Sequence, residues 1–316
     1  MKTEVRGIVS SLLRILVLAA VATPGLVAQM PGQVDPNFHP PAGLRIRSFD
    51  PAVLSPDGLL WVNGAQPDLG FPPLIGLRAD GSVAALPPFP TPAITIGFLP
   101  NDTVILGGIS SSGRYNAEAQ RLRFPSLRTL SPAFASLAEG RFFISGVSGS
   151  GSNTRRLVRF LADGSVDPTF AATATLDSGP FGGASYLLPM PDGRVVVAGT
   201  FVEAAGVRRM GFARFLADGA LDTTYNPTVA LQPRPPESPV IPVVRCAGLL
   251  PDGSLVAAFQ VYPEGGGDPV RAMIVRWDTH GVLDADFHPP EGLATHIRSG
   301  VVEPDGAILV GGDFSE

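Results

Sequence analysis

Lysine is missing from this chain beyond position 2, and that absence narrows the chemistry at once. A Schiff-base lysine and a phosphate-loop lysine are both excluded, because every later basic side chain is an arginine. Cysteine is as scarce. Cys246 stands alone, so no intrachain disulfide can form. Its apolar setting, Val243 to Leu249, marks it as a small buried hydrophobe. The four histidines, His39, His280, His288 and His296, lack the spacing of a zinc site. His39 and His288 occupy equivalent places before a Pro-Pro pair, which fits turn packing. No Gly-x-Ser-x-Gly elbow occurs, and Gly265-Gly266-Gly267 does not lie between a strand and a helix, so no phosphate site is expected. Among the carboxylates no pair is singled out for glycoside hydrolysis.

The first residues differ from all that follow. Lys2, Arg6 and Arg14 precede the apolar run Ile15 to Ala22, and Leu26-Val27-Ala28 offers small residues for cleavage. That layout predicts a secretory signal peptide over 1–28 and an extracytoplasmic product, secreted, periplasmic or on the cell surface, that begins close to Gln29. The run is short for a membrane anchor, and no span is expected after cleavage. The remaining 288 residues carry 20 basic and 27 acidic side chains, a net −7, which gives no reason to expect nucleic acid as a partner.

What is abundant is repetition. LPMPDGRVVVAGTF from Leu188 recurs as LLPDGSLVAAFQ from Leu249, VEPDGAILVGGDF from Val302 and LSPDGLLWVNGA from Leu54. Weaker copies start at Phe98 and Ser136. Each reads as a β-hairpin: Asp-Gly supplies the positive φ of the turn, and the apolar run after it suits a strand buried on both faces. A second hairpin alternates with the first. LVRFLADGSVDPTF from Leu157 returns as GFARFLADGALDTTY from Gly211 and IVRWDTHGVLDADF from Ile274, with a degenerate form from Ile75. One unit therefore holds strands a and b around one turn and c and d around the other.

Four short antiparallel strands per unit predict an all-β fold, a β-propeller of about six four-stranded units over 29–316. The first turns fall at Pro56, Pro100, Ala138, Pro191, Pro251 and Pro304, spaced by 44, 38, 53, 60 and 53 residues. The variation sits in connections: Ser145 to Ser152, Gln232 to Pro242 and Glu264 to Asp268. Gln33 to Ser48 nearly repeats Leu283 to Ser299, so the N-terminal region supplies a d strand without its c partner. The last unit reaches Phe314 and Glu316 without c or d. The expectation is an incomplete sixth unit, a chain that is part of a longer protein, and a poorly protected edge over Val301 to Glu316.

The pattern resembles the delta-60 repeat family of bacterial exported proteins. FLADGSVDPTF at Phe160, LLPDGSLVAAF at Leu249 and EPDGAILVGGDFSE at Glu303 carry the resemblance, which is clearest from Leu157 onward. It implies a propeller-like fold within modular surface or secreted proteins, and it brings no catalytic residues.

Two repeated residue types invite a chemical reading. Asp35, Asp167, Asp222 and Asp284 recur in strand d. They could offer oxygens to calcium, but the spaced acidic loop of known calcium motifs is missing, and an Asp that bonds the backbone two residues on explains the same repetition. Arg123, Arg159, Arg214 and Arg276 precede Phe124, Phe160, Phe215 and Trp277. They suggest either an anion-binding ring around a channel or structural arginines that pair with the strand-d Asp or pack on an aromatic. The structural readings are preferred, so no catalytic, cofactor-binding or metal residue is assigned and no cofactor is expected. The functional expectation is an exported non-catalytic scaffold that binds a protein or carbohydrate. The alternative is a secreted glycoside hydrolase or lyase, which should converge non-repeated carboxylates from several units on one point.

Overall fold

A computed structural model describes residues 5–8 and 52–312, except 64–73, 85, 90–94, 101, 108–111, 126–132, 149–153, 172–173, 178–182, 229–239, 264–270, 290–296 and 304. The described residues form strands and turns, with no α-helix and one 3-10 turn at Ala138–Gly140. Strand β1 is Val5–Ile8. The first unit holds β2 (Ala52–Leu54), β3 (Leu60–Asn63), β4 (Leu74–Leu77) and β5 (Val83–Ala84). The second holds β6 (Thr95–Leu99), β7 (Thr103–Gly107) and β8 (Ser112–Tyr115). The third holds β9 (Phe134–Ser136), β10 (Phe142–Ser148), β11 (Thr154–Phe160) and β12 (Thr175–Asp177). The fourth holds β13 (Gly183–Pro189), β14 (Val195–Thr200), a small hairpin of β15 (Glu203–Ala204) and β16 (Val207–Arg208), and β17 (Phe212–Phe215). The fifth holds β18 (Val240–Leu249), β19 (Leu255–Pro263) and β20 (Arg271–Trp277), and the last described unit β21 (Ile297–Val302) and β22 (Ile308–Gly312).

These strands build six sheets, one for each predicted first hairpin. The expectation of four full strands per unit needs correction. Strand d exists as β5 in the first unit; in the third it is the bridge Phe160↔Val166 followed by β12 on β11, and in the second, fourth and fifth it shrinks to single bridges, Tyr115↔Arg121, Phe215↔Leu221 and Trp277↔Leu283. Where an Asp stands at this point, as Asp167, Asp222 and Asp284 do, its carboxylate captures the amide two residues ahead and turns the chain after that rung.

The turn glycines behave as the pattern requires, with φ of 86° at Gly193 and 85° at Gly164. Where glycine is absent, other residues accept the left-handed backbone: Asp102 at 52° and Ala119 at 59°.

Strand b of each central unit is buried on both faces, and its period-2 alternation divides it between two cores. Val195 and Val197 join a core with Phe143, Leu157 and Phe201 of the third and fourth units, while Val196 and Ala198 face Val244, Leu255 and Trp277 of the fifth. In β19, Leu255, Ala257 and Phe259 face back and Val256 and Ala258 face forward onto Ile297, Ile308 and Val310. First strands of successive units lie against one another in chain order, β2 on β6, β6 on β9, β9 on β13, β13 on β18 and β18 on β21. Close approach there depends on glycine: a Cβ on Gly248 would stand 2.5 Å from the Cβ of Val302.

The strand register gives each sheet two distinct ends. Leu255 pairs with both Leu249 and Trp277, so the a–b and c–d turns of a unit share one end. Val261 pairs with Pro242 and Arg271, so the b–c connection and the approach to strand a share the other. The strand residues that border the three variable connections all lie at that second, loop end.

Candidate functional site

At the turn end, one arrangement repeats. Arg159 Nε donates to Asp167 Oδ2 at 2.8 Å, and Arg214 Nε donates to Asp222 Oδ2 at 2.8 Å. Arg276 makes the same pair with Asp284. The other carboxylate oxygen accepts from the amide two residues on and, for Asp167 and Asp222, from the hydroxyls of Thr169 and Thr224 at 2.6 Å. Each guanidinium lies over an aromatic ring, 5.0 Å from Phe170, 4.0 Å from Tyr225 and 5.5 Å from Phe287. Burial works to raise the Asp167 and Asp222 carboxyls, but the threonine and arginine donors outweigh it and hold both below the ordinary range. For Asp284 the Arg276 hydrogen bond leads, and it too is held low.

The same guanidinium reaches into the next unit. Arg159 Nη1 donates to the Ala217 carbonyl at 2.7 Å, and Arg214 Nη1 donates to the Thr279 carbonyl at 2.7 Å. Both acceptors are the residue two before the turn glycine of the following c–d hairpin. Arg114 does likewise, with Nη2 on Ala162 at 2.7 Å and Nη1 on Asp163 at 2.6 Å. The turn glycine leaves room for this seat: a Cβ on Gly164 would lie 2.9 Å from the Arg123 carbonyl and 3.1 Å from Arg114 Nη1. Each arginine is thus a clasp between consecutive units.

This geometry corrects one assignment. In the second unit the equivalent arginine is Arg114, before Tyr115, not Arg123 before Phe124. The Leu122 amide bonds the Arg114 carbonyl at 2.8 Å, as the Asp167 amide bonds the Arg159 carbonyl at 2.9 Å. Leu122 therefore stands where Asp167 and Asp222 stand, and Arg114 Nε is buried without a partner. Phe124 instead packs against Phe142 and Phe160, which stack on one another.

The remaining predicted residues are quickly placed. Asp35, His39 and His296 lie outside the described residues. His280 is exposed beside Thr279 and Asp278, and His288 bonds the Asp286 carbonyl. Cys246 is fully buried among Val256, Ala258 and Ile274, and that burial pushes its thiol up to about 12.

Toward the loop end lies a group the sequence reading passed over. Arg245 forms a bulge in β18, between the pairs Val244↔Phe259 and Cys246↔Ala258. Its Nε donates to Gln260 Oε1 at 3.1 Å and its Nη2 to Tyr262 Oη at 3.3 Å. Tyr262 donates in turn to Gln260 Oε1 at 2.8 Å, and the Tyr186 hydroxyl donates to the Arg245 carbonyl. Burial, with Cys246 nearby, raises the Tyr186 phenol and keeps it a donor. Among the described residues no carboxylate is within ion-pair distance of Arg245, so its charge is balanced by neutral groups alone. The signals were in the chain: Arg245 interrupts an apolar strand, and Gln260 interrupts the apolar run of β19.

The family model described as a domain of unknown function (DUF5122) beta-propeller matches residues 140–170 and 191–225, the stretches that end at the two aromatics under Arg159 and Arg214. Over those two stretches the chain is similar to β-propeller repeats. No curated protein matches it. A gluconolactonase from Xanthomonas campestris is 17% identical, with 72% of this chain and 70% of that chain covered at a TM-score of 0.42. A calcium-binding protein, regucalcin, from Agrobacterium tumefaciens is 15% identical, with 82% and 80% covered at 0.44. An ulvan lyase, from a new polysaccharide lyase family, is 12% identical, with 66% and 61% covered at 0.41. At that level of likeness no ligand or reaction transfers to this chain. Among the described residues no helix is long and apolar enough to cross a membrane.

Proposed function

We propose that this chain is an exported β-propeller scaffold of about six units of the delta-60 repeat kind, whose loop end binds a carbohydrate. The observation that carries this reading is the contrast between its two ends. At the turn end Arg114, Arg159 and Arg214 are engaged in joining units, whereas the Arg245 charge belongs to one unit only and is met by neutral donors and acceptors. A guanidinium, an amide and two phenols are side chains that hydrogen-bond sugar hydroxyls while stacking or packing on the ring. Burial of Val62 and Leu77 on the far face of the first sheet supports a ring in which the first unit also has a neighbour. The leader over 1–28 supports export.

The test is a polysaccharide panel read by isothermal calorimetry, with Arg245→Ala as the control and thermal melting to confirm its fold. Saturable binding by the native chain and its loss in Arg245→Ala is the expected result. Binding to proteins alone would replace the ligand class, and release of new reducing or unsaturated sugar ends would move the chain to the hydrolase or lyase reading.

A further inference from the structure

Three arginine clasps, from Arg114, Arg159 and Arg214, each hold the c–d turn of the following unit. Arg276 is the fourth of the series. It keeps the local parts, the Asp284 pair and the Phe287 ring, but among the described residues no carbonyl of a further unit receives its guanidinium. Its side chain is 27% exposed, against 8% for Arg159 and 6% for Arg214. The neighbouring sheet is unlike the other five in the same direction. In every other unit strand b carries an antiparallel third strand: β4 on β3, β8 on β7, β11 on β10, β17 on β14, β20 on β19. On β22 that place is taken by β1, running parallel with Val5 beside Ile308 and Ile8 beside Gly311. Strand β22 is also less buried than β14 or β19.

We propose that the edge of β22 held by β1 and the Arg276 guanidinium together form a docking site for one β-hairpin with a positive-φ glycine turn, and that β1 is a placeholder on it. The occupant pairs its first strand antiparallel with Ile308–Gly312, as strand c does elsewhere. It then presents the carbonyl two residues before its turn glycine to Arg276 Nη1, where Thr279 stands for Arg214. Three occupied examples within the chain define the chemistry of this partner: extended backbone with free amides, a turn with positive φ, and a small residue at the seat. Removal of the leader in the exported form would bare the same edge.

The test uses a fluorescent synthetic peptide copying Met210–Tyr225, which holds β17 and its Ala-Asp-Gly turn, titrated onto the full chain and its Gly7→Pro variant. Proline at position 7 disrupts β1 without touching β22. Saturable anisotropy that is tighter for Gly7→Pro, and about tenfold weaker once Arg276→Ala or Arg276→Gln is added, is the expected result; tenfold is the scale of one charge-assisted hydrogen bond. Two substitutions are used so that a misfolded one, detected by melting, does not decide the outcome. The proposal is overturned if the peptide binds equally with and without Arg276, if a scrambled peptide binds as well, or if no saturable binding occurs to Gly7→Pro. Self-association of Gly7→Pro that is lost with Arg276→Ala would assign the site to a second copy and overturn it too.

Discussion

Arg214 and Arg276 stand in the same local frame and differ in what lies beyond them. Both are the penultimate residue of strand c, pair with an Asp eight residues on and cover an aromatic ring. Only Arg214 then meets a carbonyl of the next unit, and only Arg214 is sealed from water. The Arg–Asp pair is thus a unit's own device for ending strand d, and the clasp is a second use of the same cation. A repeat protein held this way gains stability unit by unit through its neighbours.

The largest expected difference follows directly. Arg214→Ala leaves Asp222 buried without its partner and opens the seat of Thr279, which should lower unfolding free energy by about 3–5 kcal/mol. Arg276→Ala, at a wetter pair with one contact fewer, should lower it by about 1 kcal/mol. Urea unfolding of the two variants measures both, and equal losses would break the comparison.

Acid should act on the sealed pairs. Asp167 and Asp222 are held below their ordinary values, so the stability they contribute is complete above the unfolded carboxyl value of about 4 and is lost as pH falls through the lower folded value. Replacing Asp222 with Asn should flatten the decline in melting temperature below about pH 4, because the titrating group is gone. An unchanged slope would place the acid sensitivity elsewhere.

Smaller effects sharpen the comparison in the second unit, where Leu122 replaces the Asp. Leu122→Asp would supply Arg114 Nε with the acceptor it lacks and should stabilise by about 1 kcal/mol. Ala119→Gly should stabilise by about 0.5–1 kcal/mol, since Ala119 occupies the turn position at φ 59° that glycine holds in the later units. Chemical denaturation at neutral pH reads both, and a loss of stability in either would contradict the equivalence of this unit with the others.

The sequence made the repeat, both hairpin turns and the doubly buried b strands legible, because Asp-Gly and alternating apolar runs are local signals. It showed that Arg and Asp recur, and it suggested their pairing. It hid the clasp, because the acceptor is a main-chain carbonyl, which leaves no trace in residue identity. The same limit explains why Arg123 was aligned in place of Arg114: both precede an aromatic, and only the Leu122 amide bonded to the Arg114 carbonyl decides the register. Strand d looked longer than it is, since the Asp that ends it also punctuates strands. The Arg245 group was missed because a bulge moves a side chain off the period that strand reading follows.

The central claim, that each arginine supports the unit after its own, is tested most directly by hydrogen exchange on Arg214→Ala. In the native chain the Gly281 amide bonds the Asp278 carbonyl at 3.0 Å and the Val282 amide bonds Asp278 Oδ1 at 2.9 Å, both in the turn that Arg214 holds from the preceding unit. Exchange at Gly281 and Val282 should accelerate in Arg214→Ala together with that at Asp222 and Thr224. Acceleration confined to Asp222 and Thr224, with the 278–282 turn as slow as in the native chain, would contradict the claim.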